Sequence, residues 1–162
     1  MAPSPPLPMS HPPAWLATAI DIVLRAGAIQ TRSLGGDLQI DKKGAIDLVT
    51  QVDVEVERMA RETIAARFPD HAVLAEELEN EPEREHLHHW WVFDPIDGTV
   101  NYAHGLPVFC ASLALEVDGR PEVAAVYDPT RHELFTAERG VGAWLNGTPL
   151  HVTDAGTLLD AM

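Results

Sequence analysis

Positive charge is what this sequence has least of. Its 11 lysines and arginines face 25 aspartates and glutamates, which leaves a net charge of −14 at pH 7. Such a surface repels nucleic-acid phosphates and anionic lipid headgroups, so neither a nucleic acid nor a membrane is expected as a partner. Cysteine is nearly absent. Cys110 is the only one, which excludes an internal disulfide framework. No Cys and His cluster of the zinc-binding kind occurs. Cys110 lies in the apolar run Val108–Leu115 and reads as a small buried hydrophobe. Long hydrophobic runs are lacking too, none nearing the roughly 20 residues that span a bilayer. The opening, MAPSPPLPMSHPP, has no basic segment of the kind that heads a secretory leader, and residues 1–13 read as a disordered or extended Pro-rich arm. A cytoplasmic location is the expectation. Aromatic residues make up only 6%, yet hydrophobic residues reach 46% of 162 positions, enough for one domain with its own core.

The first half reads as two helices with short strands between them. From Ala14 to about Leu34, Leu16, Ile20, Val23 and Gly27 form one side of a helix and Thr18, Asp21, Arg25 and Arg32 another. Gly35-Gly36-Asp37 ends it. Two short strands, LQIDKK and AIDLV, flank a turn at Lys42-Lys43-Gly44. Thr50 is placed to cap a second helix, Gln51 to about Phe68, striped by Val52, Val56, Met59, Ala60 and Ile64. Glu57 and Arg61 are spaced as an i,i+4 pair on its outside. AVLAEE reads as a strand ending in Glu76-Glu77, and LENEPEREHLHH as a solvated loop holding His86, His88 and His89. The second half alternates strands and turns, with hairpin signals at Asp118-Gly119 and Asn146-Gly147. The class is α+β: two helices packed on one face of an antiparallel sheet.

The stretch WVFDPIDGTVNY, 91–102, drives an apolar strand into two carboxylates and a glycine. Carboxylates beside a core require a cationic partner. The nearest basic residues in sequence are Arg84 and Arg120, so a cation must come from the fold or from a metal. Glu76 ends another strand, and Asp53 opens a helix. Any one of these alone is an ordinary surface acid; together they suit a hard divalent ion, which prefers oxygen ligands. A turn at Pro95 would set Asp94 and Asp97 around neighbouring ions and aim the Ile96 carbonyl at one of them. Gly98 lets backbone approach a ligand, and N–H groups at a helix start beginning at Thr99 suit phosphate oxygens. The D-x-D-G-T string of haloacid-dehalogenase-type phosphatases is not matched, because the residue two after Asp94 is Ile96.

These strings resemble the inositol monophosphatase family of Mg²⁺-dependent phosphatases. The resemblance runs from about Ala14 to the end and rests on DLVTQVD (47–53), AEE (75–77), DPIDGTVNY (94–102) and ERGVGAWLNG (138–147). It implies the N-terminal portion of a layered αβαβα sugar-phosphatase fold over residues 14–153. It implies that Glu76, Asp94 and the Ile96 carbonyl hold a first Mg²⁺, that Asp94 and Asp97 share a second, and that Glu76 and Asp53 reach a third. Catalytic roles fall to Glu76, Thr99 and Asp53, with Glu76 and Thr99 orienting and deprotonating the attacking water. Substrate contacts fall to Glu76, Ile96, Asp97, Gly98 and Thr99, with the N–H groups of Gly98 and Thr99 on the phosphate. Lys42 or Lys43 is an added candidate; Asn101 and Tyr102 are expected to pack or cap. The substrate implied is a small phosphate monoester, an inositol monophosphate or related sugar phosphate.

Family members continue into a C-terminal half with a WDxAAG-like motif that supplies a further metal ligand. That motif does not occur here, and residues 154–162 read as the start of that half. The chain by itself is therefore expected to be a poor hydrolase and, with an apolar face uncovered, to self-associate as a homo-oligomer, a dimer being the simplest form. The alternative is a non-catalytic Mg²⁺-binding remnant or interaction module.

Overall fold

The computed structural model describes residues 13–34, 40–42, 48–75, 87–154 and 156–157. Residues 1–12 of the Pro-rich arm, Lys43-Gly44, Glu76 and His86 lie outside the described residues.

Helix α1 (Pro13–Ser33) begins on a proline, which suits a first helical turn because its missing N–H has no partner there to lose. Its buried line is Ala19, Ile22, Val23 and Ala26, with Gln30 fully buried at the end. Leu16 and Ile20, expected on the same side as Val23, are only partly buried beside this line. The reason is close approach: small residues face the sheet. A Cβ added at Gly27 would stand 2.5 Å from two ring carbons of Tyr127 and 3.1 Å from Cβ of Pro129. Gly27→Ala is therefore expected to lower stability by about 1–3 kcal/mol through overpacking, against the small gain alanine usually brings in a helix. A urea midpoint equal to or above that of the parent would contradict this.

Helix α2 (Gln51–Arg67) follows Thr50 directly and buries Val52, Asp53, Val56, Glu57, Ala60 and Ile64. The Glu57–Arg61 pair is not on the outside as expected. Glu57 is fully buried, Arg61 Nε donates to it at 2.7 Å, and Arg61 Nη1 donates to the Val73 carbonyl at 3.2 Å. A carboxylate can be buried there because its charge is partnered. Arg67 ties the helices together, donating to Asp21 at 2.7 Å and to Thr18 Oγ1 at 3.1 Å.

Strands β1 (Ile40–Lys42) and β2 (Leu48–Thr50) pair antiparallel by themselves. The other seven make one sheet in chain order: β3 (Ala72–Ala75), β4 (His89–Asp97), β5 (Cys110–Val117), β6 (Arg120–Asp128), β7 (Glu133–Glu138), β8 (Gly142–Leu145) and β9 (Thr148–Leu150). Every adjacent pair is antiparallel except β3–β4, which is parallel. A parallel neighbour requires a crossover of a dozen or so residues, and the charged stretch between Ala75 and His89 supplies that length. Both expected hairpin turns form, with positive φ at Asp118 and Gly119 and at Asn146 and Gly147, the signature of tight turns that match strand twist. Helix α1 crosses β5 and β6 and α2 lies on β4. Trp91, Phe93, Ala111, Leu113, Leu115, Val123 and Ala125 face them as the core. Val92, Ala114, Ala124 and Val126, facing the other way, are half-buried, and among the described residues no helix covers that open face.

Only part of the histidine stretch is a solvated loop. His88 is exposed, its Nδ1 2.6 Å from Asp118 Oδ1. His89 begins β4 and stacks on His71, ring centroids 4.3 Å apart and planes within 8°. Trp91 Nε1 donates to His71 Nδ1 at 3.1 Å, and Phe68 also stacks on the His71 ring, centroids 4.8 Å apart. Burial first, then the neighbouring His89, pushes the His71 pKa down to about 4, against the pull of Asp70. A lowered imidazole pKa means that the unfolded chain takes up the proton first. His71 therefore contributes stability that is complete above about pH 6.5 and is lost as the pH falls toward 4. His71→Gln, which keeps an acceptor for Trp91, is expected to flatten that decline in urea midpoints measured between pH 4.5 and 7.

Candidate active site

In a regular strand, residues three apart point to opposite faces. Asp94 and Asp97 do not, because the strand is bulged between them. Asp94 pairs with Ser112 and Asp97 with Cys110, so three steps on β4 match two on β5. The extra residue is the mark of a β-bulge, and Pro95, which has no N–H to give a ladder, is well suited to one. Ser112 and Cys110 share a face, so both carboxylates do too, on the open side of the sheet. Ile96 turns inward and is 1% exposed. Asp94 Oδ1 accepts from the Ile96 N–H at 3.1 Å, which closes the turn locally.

Gly98 follows with φ +95° as the cap of α3 (Thr99–Ala103), and its carbonyl accepts from the Tyr102 N–H at 3.0 Å. Thr99 Oγ1 donates to the Ile96 carbonyl at 2.9 Å, leaving its hydroxyl oxygen able to accept. Asn101 and Tyr102 pack and cap as expected: Asn101 Nδ2 donates to the Val108 carbonyl at 2.8 Å, and Tyr102 is fully buried edge-on to Phe109 at 4.9 Å. The Tyr102 hydroxyl donates to the Gln30 carbonyl at 2.7 Å, and Gln30 Nε2 donates to the Pro95 carbonyl at 2.8 Å. Sequence reasoning passed over Gln30, since a lone glutamine on a helix carries no signal of burial.

The site is strongly negative. Cys110, expected in the core, is only half-buried on the open face. Its thiol is pushed up to about 12, by burial first and then by the charges of Asp97 and Asp94, with Asp128 adding to them. Its Sγ lies 3.8 Å from Asp97 Oδ2. Tyr102 is likewise pushed up to about 12 by burial, then by Asp53 and Glu55. Asp53 is 1% exposed and its charge bears on Tyr102, while Asp94 and Asp97 stand together on the open side. A groove of about 330 Å³ runs from Asp97 and Gly98 past Val108 and Cys110 to Asp128 and Glu133. Asp128 was not singled out from sequence; its Oδ1 accepts from Thr130 N and Oγ1 and from Arg131 N, so it is committed to its own turn.

Donor chemistry fits a hard cation: the carboxylates of Asp94 and Asp97 and the Ile96 carbonyl are all oxygen. Among the described residues no three His, Cys, Asp or Glu side chains come together as a ligand set. Glu76 lies outside the described residues, but β3 leads to it in parallel with β4, with Ala75 paired to Phe93, the residue before Asp94. Lys42 is described in backbone only, and Lys43 lies outside the described residues. Among those residues no helix is long and apolar enough to cross a membrane.

The seven-stranded sheet thus carries two helices on one face and the bulged Asp-Pro-Ile-Asp-Gly-Thr turn opening on the other. The crystal structure of extragenic suppressor protein suhB from Bartonella henselae matches 88% of this chain, and 55% of its own, at 35% identity with a TM-score of 0.82. A crystal structure of an IMPase/NADP phosphatase complexed with Mg²⁺ and phosphate matches 82% of this chain and 50% of its own at 32% identity, TM-score 0.73. The inositol-1-monophosphatase of Synechocystis sp. is 44% identical over 146 residues, 89% of this chain and 50% of that protein. The family model for inositol monophosphatases matches residues 13–162. The chain belongs to the inositol monophosphatase family. It spans about half the length of the relatives it matches.

Proposed function

We propose that the protein is an Mg²⁺-dependent phosphate monoester hydrolase acting on an inositol monophosphate or a related sugar phosphate. The observation that carries this reading is the bulge, which turns Asp94 and Asp97 onto one face beside an acidic groove. A phosphate ester does not enter a groove lined by Asp97, Asp128 and Glu133 unless cations accompany it. Asp94, Asp97 and the Ile96 carbonyl, with Glu76, are the residues that would hold Mg²⁺, and Asp53 with Glu76 would reach a third ion. Bound Mg²⁺ supplies positive charge that lowers the pKa of a water and neutralises phosphate oxygens. Thr99 Oγ1, fixed by its bond to the Ile96 carbonyl, would orient an attacking water, and Glu76 would take its proton. The N–H groups of Gly98 and Thr99 hold the phosphate, which the left-handed Gly98 permits by bringing backbone close to the ligand.

The test measures Mg²⁺-dependent phosphate release from inositol 1-phosphate by the chain alone and mixed with the C-terminal half of the Synechocystis relative. Release that requires Mg²⁺ and rises in the mixture is the expected outcome. Mg²⁺ binding without release in either arm would favour a non-catalytic Mg²⁺-binding remnant; absence of Mg²⁺ binding would sink both the hydrolase and that remnant.

A further inference from the structure

We propose that Gln30 and Tyr102 are positioning residues that hold the Asp94–Thr99 turn in its bulged shape from the end of α1. Two acceptors at this junction have lost their ordinary partners. The bulge takes the Pro95 carbonyl out of the regular ladder. The Gln30 carbonyl stands in the last turn of α1, where carbonyls run out of intrahelical donors. Each is satisfied by a side chain from the other segment: Gln30 Nε2 reaches Pro95 O at 2.8 Å, and Tyr102 Oη reaches Gln30 O at 2.7 Å. The contact spans 65 residues of sequence in one case and 72 in the other. Gln30 and Tyr102 are both fully buried, so water does not compete for these bonds.

The orientation of the amide is fixed. Turning it over would set Oε1 against the Pro95 oxygen, acceptor against acceptor. In the orientation found, Oε1 has no donor among the described residues, a cost the chain carries to keep Nε2 on Pro95. A leucine would fill the same space without that cost if the residue served packing alone. One helix residue thus grips the strand side of the turn through its side chain and the α3 side through its backbone. The distance between the Asp94 and Asp97 carboxylates and the Gly98-Thr99 backbone is set between those two grips.

This inference rests on the phosphatase reading for what the turn is for, but not for whether the clamp exists. Gln30→Leu and Tyr102→Phe are each compared with the parent by amide hydrogen exchange without metal, by urea unfolding, and by Mg²⁺ titration calorimetry. Losing one buried hydrogen bond is expected to speed exchange at the Ile96 and Tyr102 amides by about fivefold to tenfold, relative to the Leu113 and Ala125 amides of the core. Mg²⁺ affinity is expected to fall by a similar factor. Tyr102→Phe, which removes one oxygen, serves should Gln30→Leu fold poorly. Turn and core amides changing in step, or unchanged Mg²⁺ affinity in both variants, would show the bonds to be ordinary links between helix and sheet and overturn the proposal. If the parent itself binds no Mg²⁺, the phosphatase reading fails, and the exchange rates alone still decide the clamp.

Discussion

Asp94→Asn is expected to weaken Mg²⁺ binding by about a hundredfold or more, since even residues that merely support a metal's ligands cost 10- to 100-fold when changed. Mg²⁺-dependent phosphate release should fall to background with it. The substitution spares the turn's own bond. Asn keeps an oxygen where Asp94 Oδ1 accepts from the Ile96 N–H, so the turn retains its local bond. What is removed is one negative charge from a cluster whose field already reaches the Cys110 thiol. Fold and function should therefore separate: the urea midpoint falls far less than the Mg²⁺ affinity does. Calorimetry that finds the same Mg²⁺ affinity in the variant would remove Asp94 from the ligand set.

Gly98→Ala should cost nearly as much activity by another route. Gly98 has φ +95°, a conformation that side-chain-bearing residues avoid, and an added Cβ would stand 2.9 Å from the Val108 carbonyl oxygen. That oxygen is backbone, and it also accepts from Asn101 Nδ2, so it cannot yield cheaply. The turn must move instead. Strain of this kind costs about 1–3 kcal/mol, which a urea titration would register. The larger effect is on positioning, since a displacement of about 1 Å can lower a rate a hundredfold. A variant that retained more than a tenth of the parent's phosphate release would show that the Gly98 backbone does not approach the phosphate.

Much of this was legible in the sequence. The helices, the hairpins at Asp118-Gly119 and Asn146-Gly147 and the acidic turn all announce themselves through local rules, and local rules are what a sequence displays. The misreadings share a cause. Glu57 and Arg61 have the spacing of a surface pair, and only the arrival of β3 beneath α2 buries them. The sheet is antiparallel as expected apart from β3–β4, which is parallel because of where a crossover returns. Cys110 sits in an apolar run, but alternation along β5 sends it to the face without helices. His89 belongs to a charged stretch by composition and to a ring stack by virtue of His71, 18 positions earlier in the sequence. Of the site, the carboxylates were visible by type and order and the turn at Pro95 with them; the bulged pairing with β5 that makes the turn was not.

The bulge also bears on how acidic motifs are compared between proteins. An unbulged strand would need one intervening residue, Asp-x-Asp, to aim two carboxylates the same way; this strand does it with two. Removing a single residue between Asp94 and Asp97 would leave that unbulged form with the pair still on one face, whereas flattening the bulge at the present spacing would send the second carboxylate in among the hydrophobic side chains under α1 and α2. Counting letters therefore separates motifs whose side chains present the same pair, and would unite others whose side chains face apart.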